Sequence, residues 1–213
     1  HRVHRRQRQM CIRDSSGKVL VQLSTGTPMQ ARLEHEWMQH HGAHYLDGAI
    51  LNGPPAIGTK HGHILVSGDR SAWEQSGSRL DCLGGTVRFE EGDAGTASAL
   101  DLAWLSTWYG SFVSIAHACR ICAAENIDVE RFMQLLPDDI RVQYLARTVR
   151  DEAFEKRSAT LSVWKKALVS IQAQADEARI NGEFPDFVAG LLKRAERAGH
   201  GDDNVMALVK VMT

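Results

Sequence analysis

Cysteine is scarce in this sequence: four in 213 residues are too few to staple a chain of this size with disulfides, so the composition points to a reducing, cytoplasmic setting. Charge of one sign is also lacking. With 25 Lys and Arg against 26 Asp and Glu, nothing draws the chain toward nucleic acid or an anionic membrane surface. No uninterrupted apolar run is long enough to span a bilayer, and there is no internal repeat or low-complexity tract. What is present, 43% hydrophobic and 24% charged residues, is the balance of a globular protein with a substantial core. Small molecules fit it better as ligands than nucleic acid or membrane.

The first residues are unlike the rest. HRVHRRQRQMCIRDSS has neither strand alternation nor a helical stripe, and it lacks the apolar centre of a signal peptide. It reads as a basic nucleic-acid arm, as a solvated terminus, or as a segment that is not native. QMCIRDS resembles the conceptual translation of a transposase adapter used in sequencing libraries. On that reading residues 1–16 are adapter-derived, and the protein proper begins near Ser16 or Gly17.

KVLVQL is a short β-branched strand that ends in STGTP. MQARLEHEWMQHHG then sets Ala31, Leu33, Trp37 and Met38 at roughly helical spacing before Gly42 stops it. AHYLDGAIL and HILVSGD read as two further strands around the loop NGPPAIGTKHG, SAWEQSGSRLDCLGG as a short helix, and TVRFE as a last strand. Strands alternating with helices predict an α/β layer with mostly parallel pairing.

After Gly95 the pattern changes. From Thr96 to about Asn126 only Gly110 interrupts, and Leu100, Trp104, Trp108, Phe112 and Ile115 form a helical stripe. One long helix is predicted. Val129 to Met212 reads as four or five further helices, punctuated by Pro137, Gly182, Pro185 and Gly199 to Gly201, with Asp202 as cap of the last. The fold class is α/β followed by all-α. One element is missing: no G-x-G-x-x-G turn, the usual phosphate cradle of a nucleotide-binding α/β domain, follows any strand.

Four segments in order carry a family resemblance: LSTGTP at Leu23 to Pro28, YLDGAILNGPPAIGT at Tyr45 to Thr59, GDAGTASALDLAWL at Gly92 to Leu105, and AGHGDD at Ala198 to Asp203. Together they resemble the NADPH-dependent imine reductases and reductive aminases, a branch of the β-hydroxyacid dehydrogenase superfamily. The resemblance runs from about Lys18 to the last residue. It implies that residues 17–94 are the back portion of a Rossmann-type NADPH-binding domain. Residues 95–213 are then an interdomain helix leading into a helical domain that exchanges with a second subunit in a homodimer. The glycine-rich phosphate turn would lie upstream of Ser16. A chain without that half is expected to leave open the edge of its first strand, to bind NADPH weakly and to fold poorly alone.

Hydroxyacid dehydrogenases of the superfamily resemble G-x-x-G-x-G-x-x-x-K at the start of the long helix; here Gly92, Gly95, Ala97 and Asp101 stand at those positions. A lysine suits a developing alkoxide. A carboxylate suits a substrate that is an iminium cation or must be protonated at nitrogen. The resemblance therefore makes Asp101 the catalytic residue for C=N reduction, with Tyr109, eight residues on and roughly 80° around the helix, as its assistant. Asp101 also reads as a surface residue near a helix N-terminus, and Tyr109 and Trp104 as core.

Ser24, Thr25, Gly26 and Thr27 read as a cofactor-binding strand-end loop, and equally as a helix start with Thr27 as N-cap and Pro28 at the first position. The resemblance adds Trp104, Asn52 and Gly53 on the substrate side, the last two in place of a Ser-Gly pair that holds a carboxylate in hydroxyacid relatives. No metal is expected. His40, His41, His44, His61 and His63 lack the helical His-x-x-x-His spacing of a zinc site, and Cys119 and Cys122 sit mid-helix, where packing explains them. RVQYLARTVR reads as a solvated helix face. The competing functions are a carbonyl or hydroxyacid reductase of the same superfamily, and a non-catalytic helical dimerisation module.

Overall fold

A computed structural model describes residues 16–155 and 159–212; residues 1–15, nearly all of the segment assigned above to an adapter, lie outside the described residues. Two compact units divide the chain, His1–Leu102 and Ala103–Thr213. The division falls inside the long helix.

The first unit holds a four-stranded sheet in chain order: β1 (Val19–Gln22), β2 (His44–Ile50), β3 (His63–Gly68) and β4 (Thr86–Phe89). β1 and β2 are parallel, as are β3 and β4. β2 and β3 are antiparallel, which departs from an all-parallel layer. A parallel return needs a crossover, usually a helix. The link from Leu51 to Gly62 has only a 3₁₀ turn at Pro54–Ala56 and brings the chain straight back.

Side-chain alternation along the strands gives the sheet two covered faces. On one, Leu46, Ile64 and Val66 pack with Ala72 and Leu80. These last two come from α2 (Arg70–Ser76) and the 3₁₀ turn Gly77–Cys82, so the single helix predicted there is an α-helix tightened into 3₁₀. On the other face Tyr45 packs with Ala31, Met38 and Ala94, and Ala49 and Leu65 pack on Ala97. Ala31 and Met38 belong to α1 (Pro28–His40). Leu33 and Trp37 of the same predicted stripe stay 58% and 38% exposed, because a helix lying on a sheet buries a narrower arc than the spacing suggested.

The long helix α3 runs from Thr96 to Ala124. In the second unit follow α4 (Val129–Met133), α5 (Ile140–Arg150), α6 (Leu161–Ala178) and α7 (Glu183–Ala195), a π turn at Glu196–His200 and a 3₁₀ helix at Val205–Val211. Its core gathers Leu145, Leu161, Leu168, Leu192, Met206 and Leu208, all essentially without solvent contact. The last helix is capped by Asn204, whose side chain accepts from the Met206 N–H, and not by Asp202. Gly199, at φ +94°, ends the preceding helix and moves the restart two residues on. Cys119 and Cys122 are buried packing residues, and burial pushes the Cys119 thiol up to about 11. No helix among the described residues is long and apolar enough to cross a membrane.

Candidate active site

A 29-residue helix such as α3 begins with N–H groups that have no partner within it. Here the sheet supplies them. Ser67 on β3 accepts from the Ala97 N–H at 3.0 Å through its hydroxyl, which donates in turn to the Ala94 carbonyl at 3.0 Å. Asp47 on β2 accepts from the Ser98 N–H at 3.0 Å and from the Ser98 hydroxyl at 2.6 Å. The loop before α3 is fixed as well. Asp93 accepts from the Gly95 N–H at 2.8 Å and from Arg32 Nε at 2.8 Å. Gly95 lies so close to the start of α1 that a Cβ there would sit 2.7 Å from the Pro28 carbonyl oxygen. That approach brings the STGTP loop beside the first turns of α3.

The loop does two jobs. Thr27 is the N-cap of α1, its hydroxyl accepting from the Gln30 N–H at 3.2 Å, with Pro28 at the first helical position. Ser24, Thr25, Gly26 and Thr27 also line a cavity of about 140 Å³, walled by Tyr45, Asp47 and Ser98 on the sheet side and by Glu34 of α1. The Tyr45 hydroxyl donates to Glu34 Oε2 at 3.0 Å. Burial and the nearby Asp47 and Glu34 charges raise the phenol's pKa, so it stays a donor.

Asp101 stands one turn beyond Ser98 on α3 and is only 4% exposed. It is not a surface residue. Burial and the Asp47 charge push its carboxyl up to about 6, against a lowering hydrogen bond from the Thr25 hydroxyl. Asp47, 2% exposed, is likewise pushed up to about 6. Burial is the main cause and the Glu34 charge adds to it, while the two bonds from Ser98 pull the other way. Two buried carboxyls, each with its pKa raised, thus stand together at the start of α3.

Thr25 joins the predicted cofactor loop to the predicted catalytic carboxyl. The remaining predicted residues lie elsewhere. Asn52 is half-buried and accepts from the His63 N–H at 2.7 Å, and Gly53 is exposed; neither lines the cavity. Trp104 and Tyr109 belong to the second unit. Trp104 packs edge-on to Trp108, and Tyr109, fully buried among Phe112 and Trp164, donates its hydroxyl to the Trp164 carbonyl at 2.6 Å.

Asp47, Ser67, Ser98, Glu34 and Tyr45 were not foreseen as site residues. Asp47 had a signal: a carboxylate in the apolar strand YLDGAIL needs a buried partner. Of the histidines, His44 Nδ1 lies 3.3 Å from Asp69 and His35, not singled out, lies 2.9 Å from it. Among the described residues no group of three or more His, Cys, Asp or Glu is arranged to hold a metal.

Residues 93–213 match the family model described as NADPH-dependent reductive aminase-like, C-terminal domain. The NADPH-dependent reductive aminase of Aspergillus oryzae is 29% identical over 201 residues, 91% of this chain and 68% of that protein. The imine reductase of Myxococcus stipitatus, solved in complex with NADP+, is 31% identical with a TM-score of 0.57, over 95% of this chain and 73% of that one. The fold is also that of 3-hydroxyisobutyrate dehydrogenase from Mycobacterium tuberculosis, with a TM-score of 0.80 at 16% identity, covering 91% and 69% of the two chains. The motifs around the sheet-capped start of α3 and the match over its whole length agree: the chain belongs to the NADPH-dependent reductive aminase-like family.

Proposed function

We propose that this chain is the catalytic portion of an NADPH-dependent oxidoreductase that reduces C=N bonds, as an imine reductase or reductive aminase does. The observation that carries the reading is Asp101: a buried carboxyl at the start of α3, its pKa raised by burial, at the position where the resemblance gives hydroxyacid dehydrogenases a lysine. The hydroxyls and glycine of Ser24 to Thr27 at the carboxyl end of β1 suit the nicotinamide end of a dinucleotide, and NADPH supplies the hydride that becomes the new C–H bond. Relatives with NADPH or NADP+ in their names support that choice.

Within this reading each group has one task. Asp101 in its acid form gives its proton to the substrate nitrogen, and the carboxylate left behind faces the resulting iminium cation, so the carbon becomes more electrophilic. The amine would leave with the Asp101 proton on nitrogen and, on carbon, the hydride that bound NADPH would supply. Thr25 orients the carboxyl through its hydroxyl. The enzyme acts as a homodimer that exchanges its helical units. The test is NADPH oxidation, by enzyme expressed from its whole reading frame, on a panel of cyclic imines and 2-oxoacids. Turnover confined to the imines is expected; turnover confined to the oxoacids would overturn the reading.

A further inference from the structure

We propose that Asp47 is a positioning residue for Asp101: a second buried carboxylate, clamped by Ser98 one turn ahead on α3, whose charge keeps the proton on Asp101. The inference rests on the reading of Asp101 above and explains why that carboxyl can serve as an acid at all.

The geometry makes the two carboxyls unequal. Asp47 receives two hydrogen bonds from one residue, including a backbone N–H at the positive end of α3. Asp101 receives the Thr25 hydroxyl. When one proton is shared between two such groups, the carboxyl that accepts more hydrogen bonds ionises first and the proton stays on the other. Asp47 is therefore the anion and Asp101 the acid.

The surroundings keep that order. Facing the pair are the Thr25 hydroxyl from the loop after β1, Glu34 from α1 with its Tyr45 partner on β2, Ser67 across the register on β3, and Ser98 on α3 itself. Glu34 is the further charge among them. It acts on Asp47, and a second negative charge makes it costlier still to ionise both members of the pair. Asp47 acts through Asp101.

A direct test, on enzyme expressed from its whole reading frame, follows the side-chain carboxyl carbons of ¹³C-labelled aspartate against pH by NMR. Asp101 is expected to titrate near 6, and in Asp47→Asn, which keeps an acceptor for Ser98, its midpoint should fall by about one pH unit. Asp47 ionises while Asp101 is still neutral, so its own midpoint should lie below that of Asp101 and stay put in Asp101→Asn. An Asp101 midpoint that stays put in Asp47→Asn overturns the proposal. Should that variant fail to fold, a parent in which Asp101 ionises before Asp47 overturns it equally. In the kinetics of the whole enzyme, Asp47→Asn should shift the basic limb of kcat to lower pH while leaving KM unchanged, which a merely structural role would not do. A coupled pair together with fully active Asp101→Asn leaves the proposal standing on the titration and refutes the catalytic reading. An uncoupled pair with inactive Asp101→Asn does the reverse.

Discussion

Asp47 and Ser67 are cross-strand partners on β2 and β3, and their side chains accept from consecutive backbone N–H groups of α3, those of Ser98 and Ala97. One rung of the sheet thereby does the work of a helix cap. The Asp101 carboxyl sits one turn above it, so its position depends on strand register and not on a loop.

Ser67→Ala should be costly for so small a change. It leaves the Ala97 N–H and the Ala94 carbonyl without their partner in a buried place, a loss of about 1–3 kcal/mol. Urea denaturation should show a lower midpoint at unchanged slope. A midpoint equal to that of the parent would mean that the start of α3 is held by other contacts.

Two glycines of the long-helix region should respond oppositely to alanine. Gly95→Ala forces a methyl against the Pro28 carbonyl, and overpacking against backbone costs about 2 kcal/mol or more. At Gly110, inside α3, a methyl meets nothing within 4 Å, so Gly110→Ala should stabilise by about 0.5–1 kcal/mol. Thermal melts of the pair check both signs.

Stability should gain from removing the proposed acid. Asp101 titrates at about 6 when folded against an ordinary 3.8, so the stability it contributes is present below pH 3.8 and is lost as pH rises through 6. Asn carries no such dependence. Between pH 4 and 7.5 the stability of Asp101→Asn relative to the parent should rise by about 2 kcal/mol. Denaturation curves at the two pH values that differ by a constant offset would contradict this.

Thr25→Val removes the hydroxyl that lowers the Asp101 pKa. The midpoint of Asp101 should then move above 6, opposite in direction to Asp47→Asn. Carboxyl NMR distinguishes the two, and a fall in Thr25→Val would show that the hydroxyl is not a donor to this carboxyl.

Much of this was legible in the sequence, and what was not has a common cause. The Thr27 cap and Pro28 could be read because a capping bond spans three residues. Asp101 stood out because family motifs and the start of a helical stripe coincide on it. The Asp47–Ser98 bond joins residues 51 apart, and Asp47–Ser67 pairing depends on an antiparallel return that a glycine- and proline-rich loop does not announce. Likewise Asn204 displaced Asp202 as a cap because Gly199 took a left-handed turn that no periodicity records. Local contacts leave a trace in neighbouring residues; register and strand direction do not.

The central claim is that Asp101 is the proton donor in C=N reduction. The measurement that bears on it most directly is kcat against pH on a cyclic imine, for the parent enzyme and for Asp101→Asn. The parent should lose activity as pH rises through about 6, where the acid form of Asp101 disappears. Asp101→Asn should fall about a hundredfold to a thousandfold below the parent at low pH and lose that limb altogether, with NADPH affinity unchanged. An Asp101→Asn enzyme within a few-fold of the parent, showing the same limb, would contradict the account.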